Sequence, residues 1–124
     1  MTSKSLRTLF VTAAVFNWLV GLGLLFDASL LFRLFGVTPL PTEFLFVQLF
    51  AWLVIVFGIG YYWVSRDPGS NISLIKLGML GKASVVLVSL AAVVTGGISW
   101  QMMILASADL VYAILFWRAL GSLR

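Results

Sequence analysis

Long runs of residues without a charged side chain are the feature that most limits what this chain can fold into. Residues 8–26 carry no charge, nor do residues 44–65, and each run has about the 20 residues that a helix needs to cross a membrane. A third uncharged run lies between Lys82 and Asp109 and contains two successive glycines, which indicate a tight turn between two helices. The pattern predicts an all-α integral membrane protein with a single transmembrane domain, residues 1–124, and spans near 7–27, 44–64, 72–95 and 100–119.

The composition supports this prediction and removes several kinds of chemistry. Of the 124 residues, 62% are hydrophobic and 10% are charged, whereas soluble domains are about half apolar and about a quarter charged. A soluble domain of this length has too little interior to bury so much apolar surface. Cysteine and histidine are both absent from the sequence, which excludes disulfides, thiol nucleophiles, imidazole bases and most transition-metal sites. We therefore predict a non-enzymatic chain with no catalytic, cofactor-binding or metal-binding residues.

The basic residues near the ends of the spans and in the connections predict an orientation. Arg33 falls on one side of the predicted membrane, and the other side carries Lys4, Arg7, Arg66, Lys76, Arg118 and Arg124. Because an excess of lysine and arginine marks the cytoplasmic side, we expect a multi-pass protein of the cell (inner) membrane with both termini in the cytoplasm. Trp100 and Trp117 at the ends of the fourth span, and residues 61–63 at the inner end of the second, are expected to form interfacial aromatic belts.

The segment near 28–36 allows two interpretations. It is apolar apart from Arg33 and Ser29, so it can form a short amphipathic helix in the membrane interface between the first and second spans. Alternatively, the first helix continues through it and tilts. The sequence favours the interfacial helix.

Each predicted span contains a polar residue. Asn17 lies at the middle of the first span, Gln48 about one turn into the second, and Lys82 and Asp109 near the middle of the third and fourth. A charge at the centre of a bilayer costs about 2.5–3.5 kcal/mol on insertion scales, so such side chains usually face the bundle and find partners. We therefore predict an intramembrane polar centre formed by Asn17, Gln48, Lys82 and Asp109.

Small residues on the third span recur at helical spacing with Lys82. They form a predicted packing seam of Gly78, Ser89, Ala92 and Gly96. Small residues allow close approach of helix backbones in lipid, where helices have no hydrophobic drive to associate. The seams and the short connections together predict an antiparallel bundle of four transmembrane helices.

Lys82 and Asp109 belong to spans joined by the predicted tight turn, so we expect them to be neighbours. Helical side chains lean toward the amino terminus of their own helix, and the two side chains therefore lean in opposite directions. Their contact is either direct or bridged by Asn17 or a water molecule. Such a pair either fixes the arrangement of the helices or serves as a relay for protons or ions.

Three stretches resemble small four-helix bacterial membrane proteins to which no activity is assigned. They are residues 66–68, Arg-Asp-Pro, then residues 77–82, Leu-Gly-Met-Leu-Gly-Lys, and then Asp109. The resemblance covers about the second half of the chain and implies a shared layout. The chain is also similar in length and span count to small multidrug resistance exporters, but these use a glutamate in the first span, where this chain has Asn17.

These observations lead to one functional hypothesis and two alternatives. The first is an accessory or assembly subunit, or a self-associating bundle, with a buried Lys82–Asp109 centre and lipid, further copies or a larger membrane complex as partners. The second is a small ion- or proton-coupled transporter that acts as a homo-oligomer. The third is a lipid- or pigment-binding module that uses the outer aromatic residues Phe44, Phe46, Phe50 and Trp52. None of these involves nucleic acid or a cofactor of the protein's own.

Overall fold

The computed structural model describes residues 1–37, 40 and 43–123, and over these residues the fold is all-helical. The long helices are α1 (Ser3–Leu34), α2 (Phe44–Arg66), α3 (Ile72–Val94) and α4 (Met102–Ser122). Each is long and apolar enough to cross a membrane. The prediction of four long apolar helices is therefore confirmed, with ends that differ from the predicted spans by a few residues at most places. Arg124, expected on the cytoplasmic side, lies outside the described residues.

Helix α1 is interrupted at Asp27. The backbone angles of this residue, φ −151° and ψ 66°, are not helical, and its carboxylate Oδ1 accepts a hydrogen bond from the Leu30 N–H at 3.2 Å. A β-carbon placed on Gly23 would lie 2.9 Å from Cδ1 of Leu31. In a straight helix residues 23 and 31 would be about 12 Å apart along the axis, so the segment after Asp27 turns back on the helix before it.

This geometry decides between the two interpretations of the 28–36 segment. It is a separate helical piece with its own amino-terminal cap at Asp27, and it ends at Leu34, shortly before Gly36, whose φ is +66°. It is not a straight continuation of the first helix. Its position relative to a membrane surface stays a prediction.

The connection between α2 and α3 is stabilised by its own polar side chains. Residues 68–70 form one turn of 3-10 helix, and Oδ1 of Asp67 accepts from the Ser70 N–H at 3.3 Å. The Asn71 amide donates to the carbonyl of Asp67 at 2.7 Å. These bonds satisfy backbone groups that a helix end leaves unpaired, so the chain reverses direction over a short distance.

The turn between α3 and α4 begins with a glycine cap. Gly96 has φ +80°, its N–H bonds the carbonyl of Val93 at 3.0 Å, and the N–H of Gly97 bonds the carbonyl of Ala92 at 2.8 Å. This is the Schellman arrangement, in which a left-handed residue just after a helix satisfies the last carbonyls. The prediction of a tight turn here is confirmed.

The helices pack closely in two pairs. Backbone approaches are concentrated between α1 and α2 and between α3 and α4, and the two pairs are farther from each other. Glycines permit the close packing of the first pair: a β-carbon on Gly58 would lie 2.6 Å from Nε1 of Trp18, and one on Gly21 would lie 2.5 Å from Cγ1 of Ile55.

The buried apolar core lies toward one end of the bundle, which we call the terminal end because Met1 and the last turn of α4 lie there. The ammonium group of Met1 donates to Oγ of Ser122 at 2.8 Å. At this end the Phe116 ring stacks on Phe10 with centroids 4.8 Å apart and meets Tyr61 edge-on at 5.2 Å. The remaining core residues are Leu6, Leu9, Ala13, Ala14, Val64, Ile75, Ala119 and Leu120.

Candidate functional site

The most unusual feature of the interior is an ion pair between α3 and α4. Nζ of Lys82 lies 2.8 Å from Oδ1 of Asp109, and the two residues are only 4% and 8% exposed. The contact is direct, which resolves the alternatives left by the sequence. The two side chains lean in opposite directions, but this does not keep them apart, because the long, flexible lysine side chain can place its ammonium group beside Asp109.

Asn17 links this pair to the other two helices. Its Oδ1 accepts from Nζ of Lys82 at 3.3 Å, and its Nδ2 donates to the backbone carbonyl of Val54 at 3.1 Å. The carbonyl belongs to α2, so one continuous chain of hydrogen bonds joins all four helices. Throughout the described chain no buried side-chain nitrogen or oxygen lacks a hydrogen-bond partner.

Three aromatic rings surround the ammonium group of Lys82. Nζ lies 5.1 Å from the ring centroids of Phe16 and Tyr112, and 5.5 Å from that of Tyr61. Aromatic faces are negative, and within about 6 Å they attract a cation most strongly when it has lost its water. The rings therefore add to the stabilisation that Asp109 and Asn17 provide.

Small residues bring the site together. On α4 the buried positions include Ala106, Asp109, Ala113 and Phe116, at spacings of three and four. On α3 they include Gly78, Lys82 and Ser89. A β-carbon on Gly78 would lie 2.5 Å from Cε1 of Tyr61, so only glycine lets this ring lie beneath the lysine.

A cavity of about 350 Å³ leads to the ion pair from the end of the bundle opposite the termini. Its walls are almost entirely apolar and come from all four helices, and Asn17, Lys82 and Asp109 are its polar lining residues besides Tyr61. The cavity exists because the buried core fills mainly the terminal end, where the rings of Phe10, Tyr61 and Phe116 pack together. Toward the other end the helix pairs enclose open space.

The 28–36 segment covers part of this cavity. Leu31, Phe32 and Phe35 contribute to its lining. The carbonyl of Gly36 accepts a hydrogen bond from the Ser99 N–H at 3.4 Å, which connects the segment to the turn between α3 and α4. The backward turn at Asp27 thus places three large apolar side chains in the wall of the cavity.

Three of the four residues predicted for the polar centre come together, and Gln48 does not. Gln48 is exposed and makes no side-chain hydrogen bond with any described residue. The reason is its depth in the bundle: Asn17 bonds the carbonyl of Val54, and Gln48 lies six residues earlier, about 9 Å farther along α2. Including Gln48 in the centre was wrong.

The predicted packing seam of α3 holds only over its first part. Gly78 and Ser89 are buried, Ala92 is half-buried, and Gly96 is exposed with no atom within 4 Å of a β-carbon placed on it. Assigning Gly96 to the seam was wrong, because α3 ends at Val94 and Gly96 is needed for the left-handed turn that follows.

The aromatic rings around Lys82 are part of the candidate site that the sequence interpretation missed. Tyr61 was expected in an interfacial belt, yet it is 3% exposed, whereas Tyr62 and Trp63 beside it are exposed. One signal could have identified it: the small residues Ala51 and Gly58 recur on one face of α2, and that face continues to Tyr61. No comparable signal marks Phe16 or Tyr112.

The site contains an ion pair with no net charge, and few kinds of chemistry are open to it. In residues 1–37, 40 and 43–123, no three or more aspartate, glutamate, histidine or cysteine side chains are grouped so that they could hold a metal ion. Asp109 is the buried carboxylate, while Asp27, Glu43 and Asp67 are exposed. The site can therefore hold helices together, exchange a proton between Lys82 and Asp109, or hydrogen-bond a molecule in the cavity.

No protein-family model, curated protein or solved structure matches this chain. The resemblance carried by residues 66–68, residues 77–82 and Asp109 stays a prediction.

Proposed function

We propose that the chain is a multi-pass protein of the inner membrane, with four antiparallel spans and both termini in the cytoplasm. A helix of 23 residues, the length of α2 and of α3, extends about 34 Å and matches a hydrocarbon core of about 30 Å. Large apolar side chains such as Leu19, Val88 and Trp117 are exposed on the outer faces, where lipid would cover them. The basic excess at the terminal end supports the cytoplasmic assignment.

The order of contacts between helices supports the antiparallel arrangement. Along α1, Ala14 faces Gly58, and the later Gly21 faces Ala51 and Ile55, which come earlier in α2. The residue numbers of the contacting positions rise along α1 while they fall along α2, as expected of helices that run in opposite directions.

Single cysteines test the orientation, because the chain has none of its own. Gly69→Cys lies in the connection between α2 and α3, and Gly97→Cys in the turn between α3 and α4; both positions are exposed. A maleimide that cannot cross the membrane should label Gly97→Cys on intact spheroplasts and Gly69→Cys only after lysis. The reverse pattern would place the termini outside and contradict the proposal.

We further propose that the protein is non-enzymatic and acts by association within the membrane, as an accessory or assembly subunit or as a self-associating bundle. The observation that carries this is the internal pairing of the polar centre: Lys82, Asp109, Asn17 and the carbonyl of Val54 bond one another. A charge pair bonded in this way supports the fold, and the apolar exterior is the surface available for association with other membrane proteins. The proposal requires no cofactor and no nucleic acid.

Native mass spectrometry of membrane vesicles, without detergent extraction, tests this function. We expect the chain to appear in dimers, in larger assemblies of itself, or bound to other membrane proteins. Dilution with added lipid controls for crowding, because specific assemblies should persist when the protein is spread over more membrane. Lone monomers at every dilution would contradict the proposal.

A second function is favoured by the cavity that reaches the charge pair. A homo-oligomeric ion- or proton-coupled transporter needs a titratable group accessible from one side, and Asp109 lines this cavity. Ion or proton flux into proteoliposomes should then disappear in Asp109→Asn and persist in Asp67→Asn, a control at an exposed carboxylate outside the bundle interior. Equal flux in both variants would exclude this function for Asp109.

A further inference from the structure

The cavity above the ion pair has the dimensions and lining of a binding site for a small molecule. Its volume of about 350 Å³ is at the lower end of the range of about 300–1,000 Å³ that is usual for ligand pockets. Such pockets are mostly apolar, with a few polar groups placed where they fix the orientation of the ligand. Here Val20, Leu24, Leu53, Val85 and Leu105 are among the apolar wall residues.

The polar end of the cavity has unused hydrogen-bonding capacity. Oδ1 of Asp109 bonds Lys82, and among the described residues no donor reaches Oδ2 of this carboxylate, which is not fully buried because Asp109 lines the cavity. An ammonium has three N–H donors, and the oxygens of Asp109 and Asn17 take two of those of Lys82. One acceptor and one donor therefore remain at the same end of the cavity.

The charges of the site restrict the kind of ligand. Lys82 and Asp109 neutralise each other, and the walls around them are apolar. A ligand with a net charge would leave one charge uncompensated away from water, which is costly. A hydroxyl group is uncharged, and it can donate to Asp109 and accept from Lys82 at once.

We propose that this cavity binds an uncharged amphiphile whose apolar body fills the space and whose hydroxyl group bonds Asp109 and Lys82. The ligand class is that of alcohols and phenols with an extended apolar portion. Leu31, Phe32 and Phe35 of the 28–36 segment form part of the wall around the ligand. Binding at this site requires no particular oligomeric state. The binding proposal can therefore be wrong while the proposed association is right, and the association can be wrong while the binding proposal is right.

Photolabelling in nanodiscs of neutral lipid tests this inference. The probe is decanol with a diazirine in its chain, compared with its methyl ether and with the corresponding ionised carboxylate. We expect saturable labelling by the alcohol, with adducts on residues that line the cavity. The methyl ether has no hydroxyl group with which to donate a hydrogen bond to Asp109. Its half-saturating concentration, and that of the carboxylate, should therefore be about tenfold or more higher than that of the alcohol.

Paired tryptophan substitutions control for labelling of the outer surface. Val20→Trp fills the cavity, whereas Leu19→Trp adds the same ring at a neighbouring position that is 68% exposed. Met102→Trp and the exposed Ile104→Trp form a second pair on α4. The cavity variant of each pair should lose saturable labelling and its partner should keep it.

Two results would overturn the inference. If the adducts on the unmodified protein are confined to its exposed outer faces, the probe has only replaced lipid at the surface. The positions of these adducts are mapped on the unmodified protein, so this result does not depend on the folding of any variant. Labelling by the carboxylate at concentrations as low as those for the alcohol would show that the ligand is not selected for an uncharged head.

Discussion

The ammonium group of Lys82 lies 2.8 Å from Oδ1 of Asp109, on the helix that follows it in the chain, and both residues are buried. Isolated, either charge would be expensive in an apolar interior, and together they form a neutral unit to which Asn17 adds an oxygen. Because Lys82 of α3 donates to Asn17 of α1, this unit joins the two closely packed helix pairs inside the bundle, and Asn17 extends it to the carbonyl of Val54 on α2.

The first prediction concerns the coupling of the two charges. Lys82→Met and Asp109→Leu should each lower the free energy of unfolding by about 3–5 kcal/mol, because each leaves the other charge buried without its partner. The double variant should recover most of that loss. Reversible unfolding in mixed micelles measures all three variants, with the exposed Lys76→Met as the control. Additive losses would mean that the two charges do not stabilise each other.

The second prediction separates Asn17 from Gln48. Asn17→Leu should destabilise the fold by about 1–3 kcal/mol, because Lys82 and the Val54 carbonyl each lose a hydrogen bond. Gln48→Leu makes the same chemical change at an exposed position and should leave stability unchanged or slightly higher. The same unfolding assay compares them. A loss in Gln48→Leu as large as that in Asn17→Leu would restore Gln48 to the polar centre.

The third prediction tests the close packing of α1 on α2. In Gly58→Ala the new methyl group meets the indole of Trp18 and the carbonyl of Ala14, so the helices must separate, at a cost of about 1–3 kcal/mol. Gly60→Ala, on the same helix, meets no atom within 4 Å and should be neutral or stabilising by about 1 kcal/mol or less. Thermal unfolding followed by circular dichroism distinguishes them, and equal melting temperatures would contradict the packing.

The fourth prediction tests the backward turn at Asp27. In a chain without native cysteine, Gly23→Cys combined with Leu31→Cys should cross-link with a short bismaleimide, because these side-chain positions are close together. Gly23→Cys combined with the exposed Leu30→Cys is the matched control and should react less. Mass spectrometry counts the reagent molecules added per chain. If the first pair of cysteines takes up two separate reagent molecules as often as the control pair does, the two cysteines are not close together and the helix is straight.

The fifth prediction concerns the glycine that ends α3. Gly96→Ala should destabilise the fold by about 1–2 kcal/mol, because a residue with a β-carbon is strained at φ +80°. The clash is with its own backbone, since no neighbouring atom lies within 4 Å. Gly121→Ala has equally open surroundings without a positive φ and is the control. If Gly96→Ala unfolds at the same temperature as Gly121→Ala, the left-handed turn is not required.

The sequence determined the four helices and their approximate ends, because charge-free runs and turn residues act locally along the chain. It also determined that Lys82 and Asp109 would be neighbours, since a short turn leaves two successive helices side by side. The buried positions of Asn17 and Gly78 followed from helical spacing for the same reason.

Only the tertiary structure decided the depth at which the helices meet and the space they leave between them. Helical spacing gives the face on which Gln48 lies, but its exposure depends on how far α2 extends beyond the level of Asn17. The same holds for the rings around Lys82 and for Leu31 over the cavity, which come from different helices or from beyond the break at Asp27. Periodicity along one helix carries no information on such distances, because they result from packing between residues far apart in the chain.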